Sequence, residues 1–302
     1  MSLISRSYLY KAGGLFLNVR LNTNKLILEK NSGSYLFLNN STGLTPDYTI
    51  TFSVSHFIDL PENKPVFSGK PFDENKTSYE WDVFENGNEH IIFIKLSDSN
   101  YFDLIKAVIP DSGKEIKVIL QAKPNISGIA FDPFLQPLGA ILLSYISHFE
   151  KGILLHSSGV NDGKNGYVFS AVSGTGKSTM AGLWQKTGAN IINDDRLMLV
   201  PRKNDLIMTN TPMPYYQDVY KESNVTAIFL INQSPDNYIK KLNSIKAVTG
   251  IMSNCIQFLY NKKMVEKHLD AISEIIKLCP VYELGFKPDT EITDIIRNEF
   301  GR

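Results

Sequence analysis

The stretch that most constrains the fold is GYVFSAVSGTGKSTMAGLWQKT, residues 166–187. It reads as a buried strand, a glycine-bearing turn and an amphipathic helix in direct succession. Met180, Leu183 and Trp184 share one helical face, and Gly188 supplies a stop. A strand that leaves through such a turn into a helix points successive backbone N–H groups at one concavity. The helix N-terminus adds positive potential there. Gly174 and Gly176 permit positive φ and close backbone approach. Lys177 can reach the outer phosphates of a nucleotide, and the Ser178 hydroxyl can ligate Mg²⁺. Ser173, Gly174, Thr175, Gly176, Lys177, Ser178 and Thr179 are therefore candidate phosphate-binding residues. The usual pattern G-x-x-x-x-G-K-[ST] has a glycine where Ala171 stands. A small residue at a strand exit serves there if its φ stays negative.

Asp194 and Asp195 follow 17 and 18 positions after Lys177. One helix and one short strand, ANIIN, fill that gap. The pair is thus expected at a strand end beside the loop, the edge where α/β sheets bind ligands. Phosphoryl transfer needs one carboxylate to hold Mg²⁺ and often another to accept a hydroxyl proton. Asn-Asp-Asp-Arg is also turn-like composition in its own right. His156 ends the strand ILLH, one strand before the loop strand. If those two strands are neighbours, its imidazole can approach the acidic pair.

The rest of the chain supplies context. It has 302 residues, room for one large domain or two ordinary ones. A hydrophobic content of 43% and 21% charged residues describe a globular chain. With zero net charge there is no basic excess to suit nucleic acid or an anionic membrane. Cys255 and Cys279 lack metal-ligand spacing and lie in helical-looking apolar stretches, as small buried hydrophobes in a reducing compartment do. MSLISRSYLYKAGG has no apolar core of signal-peptide length before Arg6 and Lys11. The apolar run Pro137 to Ile146 is too short to span a bilayer. A cytoplasmic location with no membrane partner is the expectation.

Residues 1–125 are expected to form a β-rich domain. GLFLNVRL, KLILEK, YTITFSVS, HIIFIKL and EIKVILQAK carry β-branched and aromatic residues between turn signals. His56 and His90 stand alone there and read as surface or packing histidines. From about residue 126 the pattern changes. A helix around Leu138, Ile141, Leu142, Tyr145 and Ile146 precedes strands ILLHSS and GYVFSA. Later come strands RLMLV, DLIMT, VTAIFLIN and VYELGF, helices over 242–260 and 264–278, and a closing helix TEITDIIRNEF.

Four segments in order, LLHSSGV, SAVSGTGKST, GANIINDDRLMLV and CPVYELGFKPDTEITDII, resemble the HPr serine kinase/phosphorylase family and its kinase-like relatives. They are distantly similar to the nucleotide core of phosphoenolpyruvate carboxykinase. S-G-x-G-K-[ST], beginning at Ser173, is the loop form both groups share. The resemblance covers about residues 126–302. It implies an α/β P-loop kinase domain of the HPr kinase/carboxykinase-like type, a mixed sheet with flanking helices, behind the β-rich domain.

The implied activity is ATP- and Mg²⁺-dependent transfer of a phosphoryl group to a serine-like hydroxyl on a protein, peptide or small molecule. Lys177 and the loop amides would bind the phosphates. Ser178 and Asp195 would hold Mg²⁺, and Asp194, supported by His156, would be the general base. The glycine-rich segment that the family associates with dephosphorylation and HPr regulation is not found, and no oxaloacetate-binding part can be placed. A non-catalytic nucleotide sensor and a pyrophosphate-linked phosphorylase are the competing readings. A homo-oligomer is compatible with all three.

Overall fold

The computed structural model describes residues 5–69, 79–124, 128–257 and 260–301. The chain divides into two compact units, Met1–Leu142 with Pro212–Val219, and Leu143–Thr211 with Tyr220–Arg302. The sequence pattern places its division after residue 125.

In the first unit the strands are β1 Arg6–Ala12, β2 Leu15–Leu21, β3 Leu26–Leu28, β4 Tyr48–Ser55 and β5 Phe67–Gly69. They continue with β6 Tyr79–Asn86, β7 Glu89–Leu96, β8 Phe102–Pro110, β9 Glu115–Ala122 and β10 Ile129–Phe131. Eight of these form one sheet in the order β1-β2-β4-β9-β8-β7-β6-β5, while β10 and β3 pair separately and in parallel. Alternation drives the sheet: Leu15, Leu17, Val19 and Leu21 of β2 are buried, as are Ile116, Val118, Leu120 and Ala122 of β9. The predicted strand KLILEK shrinks to Leu26–Leu28. His90 pairs with Asp111 at 3.0 Å, and His56 lies 3.0 Å from the Lys25 ammonium. Pro212–Val219 is tied to this unit through Gly33 N–H, which donates to the Pro214 carbonyl at 2.9 Å. Gln217 Nε2 adds a bond to Asn31 O at 3.1 Å.

The second unit begins within α1 (Leu138–Phe149), at Leu143. Its elements are β11 Ile153–Asn161, β12 Gly166–Ser170, α2 Lys177–Lys186, β13 Asn190–Asn193, β14 Arg196–Arg202, β15 Asp205–Thr209 and β16 Glu222–Asn224. Then come β17 Ala227–Gln233, β18 Tyr238–Lys241, α3 Ser244–Met252, α4 Lys262–Leu278, β19 Val281–Phe286 and α5 Glu291–Phe300. The sheet runs β16-β15-β14-β11-β12-β17-β19-β18, with β13 also paired to β11. β12, β17 and β19 are mutually parallel, and the other pairings are antiparallel. The unit is therefore a mixed α/β sheet covered on both faces. Tyr167, Phe169, Ala227, Phe229 and Ile231 pack with Met180, Leu183 and Trp184 of α2 and Ile292 and Ile296 of α5. The alternate residues Val168 and Ile228 pack with Ala247 and Ile251 of α3 and Ile272 and Ile275 of α4. Burial on both faces is why VTAIFLIN is apolar without interruption.

One predicted element is corrected. The helix expected over 242–260 ends at Met252, so Cys255 is not helical. On its β12 side β11 pairs with β12 only from Ser157 onward, because β12 stops at Ser170 to enter the loop. The buried groups of Leu154–His156 need other partners on that side. Residues 254–256 supply them: His156 N–H donates to Asn254 O at 2.9 Å, and Ile256 N–H to Leu154 O at 2.8 Å. Among the described residues no helix is long and apolar enough to cross a membrane.

Candidate functional site

The loop between β12 and α2 has the backbone its sequence requires. Gly174 and Gly176 adopt φ of +82° and +112°, whereas Ala171 is not among the residues of positive φ. Ala171 is buried against the face that holds Met180 and Trp184. Among the described residues, the amides of Gly174, Gly176, Lys177 and Ser178 have no acceptor, as expected for a helix start. The Lys177 side chain is buried and folds back across the loop. Its ammonium donates to the Ala171 and Val172 carbonyls at 2.9 and 3.1 Å. Burial lowers the Lys177 pKa, and the Asp195 charge opposes that shift. Ser173, Gly174, Ser178 and Thr179 are exposed; Thr175 is half-buried, its hydroxyl donating to Val172 O at 3.0 Å.

β11 and β12 are neighbours, with Ser157 opposite Ser170. His156 therefore stands beside the loop exit, and the Ser170 hydroxyl donates to its carbonyl at 3.0 Å. The small residues after it have packing reasons. Ser157 and Ser158 are fully buried, and Ser158 Oγ donates to the Lys177 carbonyl at 3.1 Å, pinning the start of α2.

The acidic turn follows β13. The Asn193 carboxamide oxygen accepts from the Asp195 and Arg196 amides at 2.8 and 3.0 Å, an Asx turn that sets the direction of both side chains. Ser157 N–H donates to the Asp195 carbonyl at 3.0 Å, stitching the turn to β11. His156 Nε2 consequently lies 3.6 Å from Asp195 Oδ1, while Arg196 Nε donates to Asp195 Oδ2 at 3.0 Å. Burial, reinforced by Lys177, lowers the His156 pKa, against the pull of Asp195. Burial and the Lys177 charge thus favour the uncharged ring.

These groups border an open cleft of about 530 Å³. Its walls include His156, Ser173, Asp195, Arg196, Asn254 and Cys255. Asp194 is half-buried at the same turn but does not line the cleft. Of the residues singled out in the sequence, the fold thus gathers His156, Lys177, Ser173 and Asp195. Ser178 and Thr179 stand on the first turn of α2. Arg196, Asn193 and the 253–256 wall were not anticipated. Arg196 had its position next to the acidic pair as a signal, and Asn193 its turn-like neighbours. The wall had none, because its place depends on pairing to β11. Burial pushes the Cys255 thiol up to about 12, so it stays protonated in the cleft.

No protein-family model matches the chain, and no curated protein matches it. Among solved structures, the Hpr(Ser) kinase/phosphatase from Coxiella burnetii is similar over 48% of this chain and 95% of its own. The identity is 13% and the TM-score 0.31. Likeness at that level assigns no role to any residue here.

Proposed function

We propose that the chain is a nucleotide-dependent phosphotransferase. In this reading the loop holds the phosphates of ATP, and an acceptor hydroxyl on a protein, peptide or small molecule enters the cleft beside it. The observation that carries the reading is the approach of His156 and Asp195 at the mouth of a loop whose amides lack acceptors. A carboxylate next to a neutral imidazole can take a proton from a hydroxyl, and the free amides can receive phosphate oxygens.

In this reading Asp195 is the general base. Asp194 and the exposed Ser178 hydroxyl hold Mg²⁺, the reverse of the roles the resemblance implied for the two aspartates. What supports the exchange is that Asp195, not Asp194, faces the cleft with His156. Among the described residues no three His, Cys, Asp or Glu side chains converge as a metal cage. Nucleotide-bound Mg²⁺ does not require one, since one or two carboxylates and the phosphates complete its shell. Bound there, the ion would neutralise charge on the transferred group. Lys177 would leave its loop carbonyls for the phosphates, and Arg196 would keep Asp195 turned toward His156.

The test is incubation of the purified chain with γ-labelled ATP, Mg²⁺ and serine-bearing peptides. Wild type should bind ATP and transfer label, and Lys177→Ala should lose both. Full ATP binding by Lys177→Ala sinks the loop assignment, while tight binding with no labelled product favours a sensor.

A further inference from the structure

A second cleft borders the first turn of α2, where the loop ends. It has a volume of about 410 Å³ and is lined by Thr179, Gln233, Ser234, Pro235, Phe286 and Pro288. β12, β17 and β19 are parallel, so their C-terminal ends share one edge of the sheet. The phosphate loop follows β12, Ser234–Pro235 follows β17, and Lys287–Pro288 follows β19. That edge is where open α/β sheets take ligands.

The cleft lies next to the end of the loop, through α2 and Phe286. Thr179 lies two residues beyond Lys177, and a Cβ placed on Gly176 would come within 3.0 Å of the Phe286 ring. Its walls are built rather than incidental. Ser234 N–H donates to Phe286 O at 3.1 Å, Lys287 N–H to Asn237 Oδ1 at 2.9 Å, and Asn237 Nδ2 to Glu291 Oε2 at 3.0 Å.

We infer that this cleft holds the adenine and ribose of the nucleotide, an inference that rests on the loop's binding a nucleoside triphosphate. Phosphates seated on the loop leave two directions for the remainder of the ligand. The Val172–Ser173 flank opens on the cleft of His156 and Asp195, where the terminal phosphate must meet its acceptor. The nucleoside then lies on the Thr179 flank. The volume falls within the roughly 300–1,000 Å³ range of small-molecule sites. Pro235, Pro288 and Phe286 offer apolar walls to a planar ring. The Gln233 carboxamide is exposed and has no protein partner among the described residues. It presents a donor and an acceptor side by side, the pair that matches the amino group and ring nitrogen of adenine. Among the described residues that line the cleft there is no carboxylate to receive the paired donors of guanine.

The test compares ATP, GTP and inorganic tripolyphosphate binding to the full chain by calorimetry, in wild type, Gln233→Ala and Pro235→Trp. Wild type should bind ATP more tightly than GTP or tripolyphosphate. Gln233→Ala should weaken ATP about two- to tenfold, the worth of one or two neutral hydrogen bonds, and leave tripolyphosphate unchanged. Pro235→Trp, which fills the cleft, should remove the preference for ATP over tripolyphosphate. Equal affinity for ATP and tripolyphosphate in wild type, unaltered by either variant, overturns the cleft assignment and leaves the loop reading standing. Failure of wild type to bind either compound overturns both.

Discussion

His156 Nε2 and Asp195 Oδ1 lie 3.6 Å apart, and the other Asp195 oxygen is taken by Arg196 Nε at 3.0 Å. The carboxylate is thereby held with one oxygen toward the imidazole. If that oxygen takes the acceptor's proton, Asp195→Asn should lower phosphoryl transfer by about 10²–10⁴-fold, the usual worth of a general base. ATP affinity should be little changed. Asp194→Asn should instead move the Mg²⁺ dependence to higher concentration. Initial rates across a Mg²⁺ series separate the two. A displaced Mg²⁺ dependence in Asp195→Asn with a pure rate loss in Asp194→Asn restores the opposite allocation.

The two loop glycines should not tolerate alanine equally. Both have positive φ, which costs a non-glycine residue roughly 1–2 kcal/mol. A Cβ on Gly174 meets open space, while one on Gly176 lies 3.0 Å from Phe286. Phe286 is buried in the core and can yield little. Gly176→Ala should therefore destabilise the protein more than Gly174→Ala, by about 1 kcal/mol or more. Urea midpoints of the two variants check the order, and equal midpoints would refute it.

The same loop shows how much was legible in the sequence. Strand, turn and helix over 166–187 announce themselves because local rules all agree there: apolar run, glycines, amphipathic period. His156 and Asp195 were legible as candidates, but their meeting depends on β11 pairing with β12 and on the Asx turn of Asn193. Neither leaves a periodic trace. The wall at 253–256 is harder still, since Ile251, Met252, Cys255 and Ile256 continue an apolar pattern that reads as helix. The backbone leaves the helix because Leu154–His156 need partners. Likewise nothing local marks Pro212–Val219, which lies in the middle of the second unit's sequence, as a member of the first.

That excursion makes a prediction about Gly33. Its amide bonds to Pro214 O, and a Cβ on it would collide with the Tyr216 and Met213 carbonyls. Backbone atoms cannot swing aside as a side-chain tip can. Gly33→Ala should destabilise by about 1–3 kcal/mol, the range for overpacking a filled site. It should also expose 212–219 to proteolysis earlier than wild type. Wild-type cleavage kinetics in the variant, with an unchanged melting temperature, would show that the packing relaxes freely.

Asp132 should make stability fall as pH rises from about 4 to 6. Its carboxylate is half-buried, accepting from Ser32 Oγ, from Ser34 Oγ at 2.8 Å and from Phe134 N–H at 2.6 Å. Burial raises its pKa from 3.8 to about 6; the Ser34 and Phe134 bonds oppose this, and the Glu29 charge adds to it. Between those two values the folded state holds a proton that the unfolded chain has released. The contribution is therefore fully present below the unfolded pKa, shrinks as pH climbs through the window, and is gone above the folded pKa. The slope per proton is at most about 1.4 kcal/mol per pH unit, for a total of the order of 2–3 kcal/mol. Asp132→Asn keeps the shape without the titration. The difference in unfolding free energy between variant and wild type, measured by urea at pH 4, 5, 6 and 7, should grow in the variant's favour up to pH 6 and then level. A difference that is flat across the series would place the Asp132 pKa near its ordinary value.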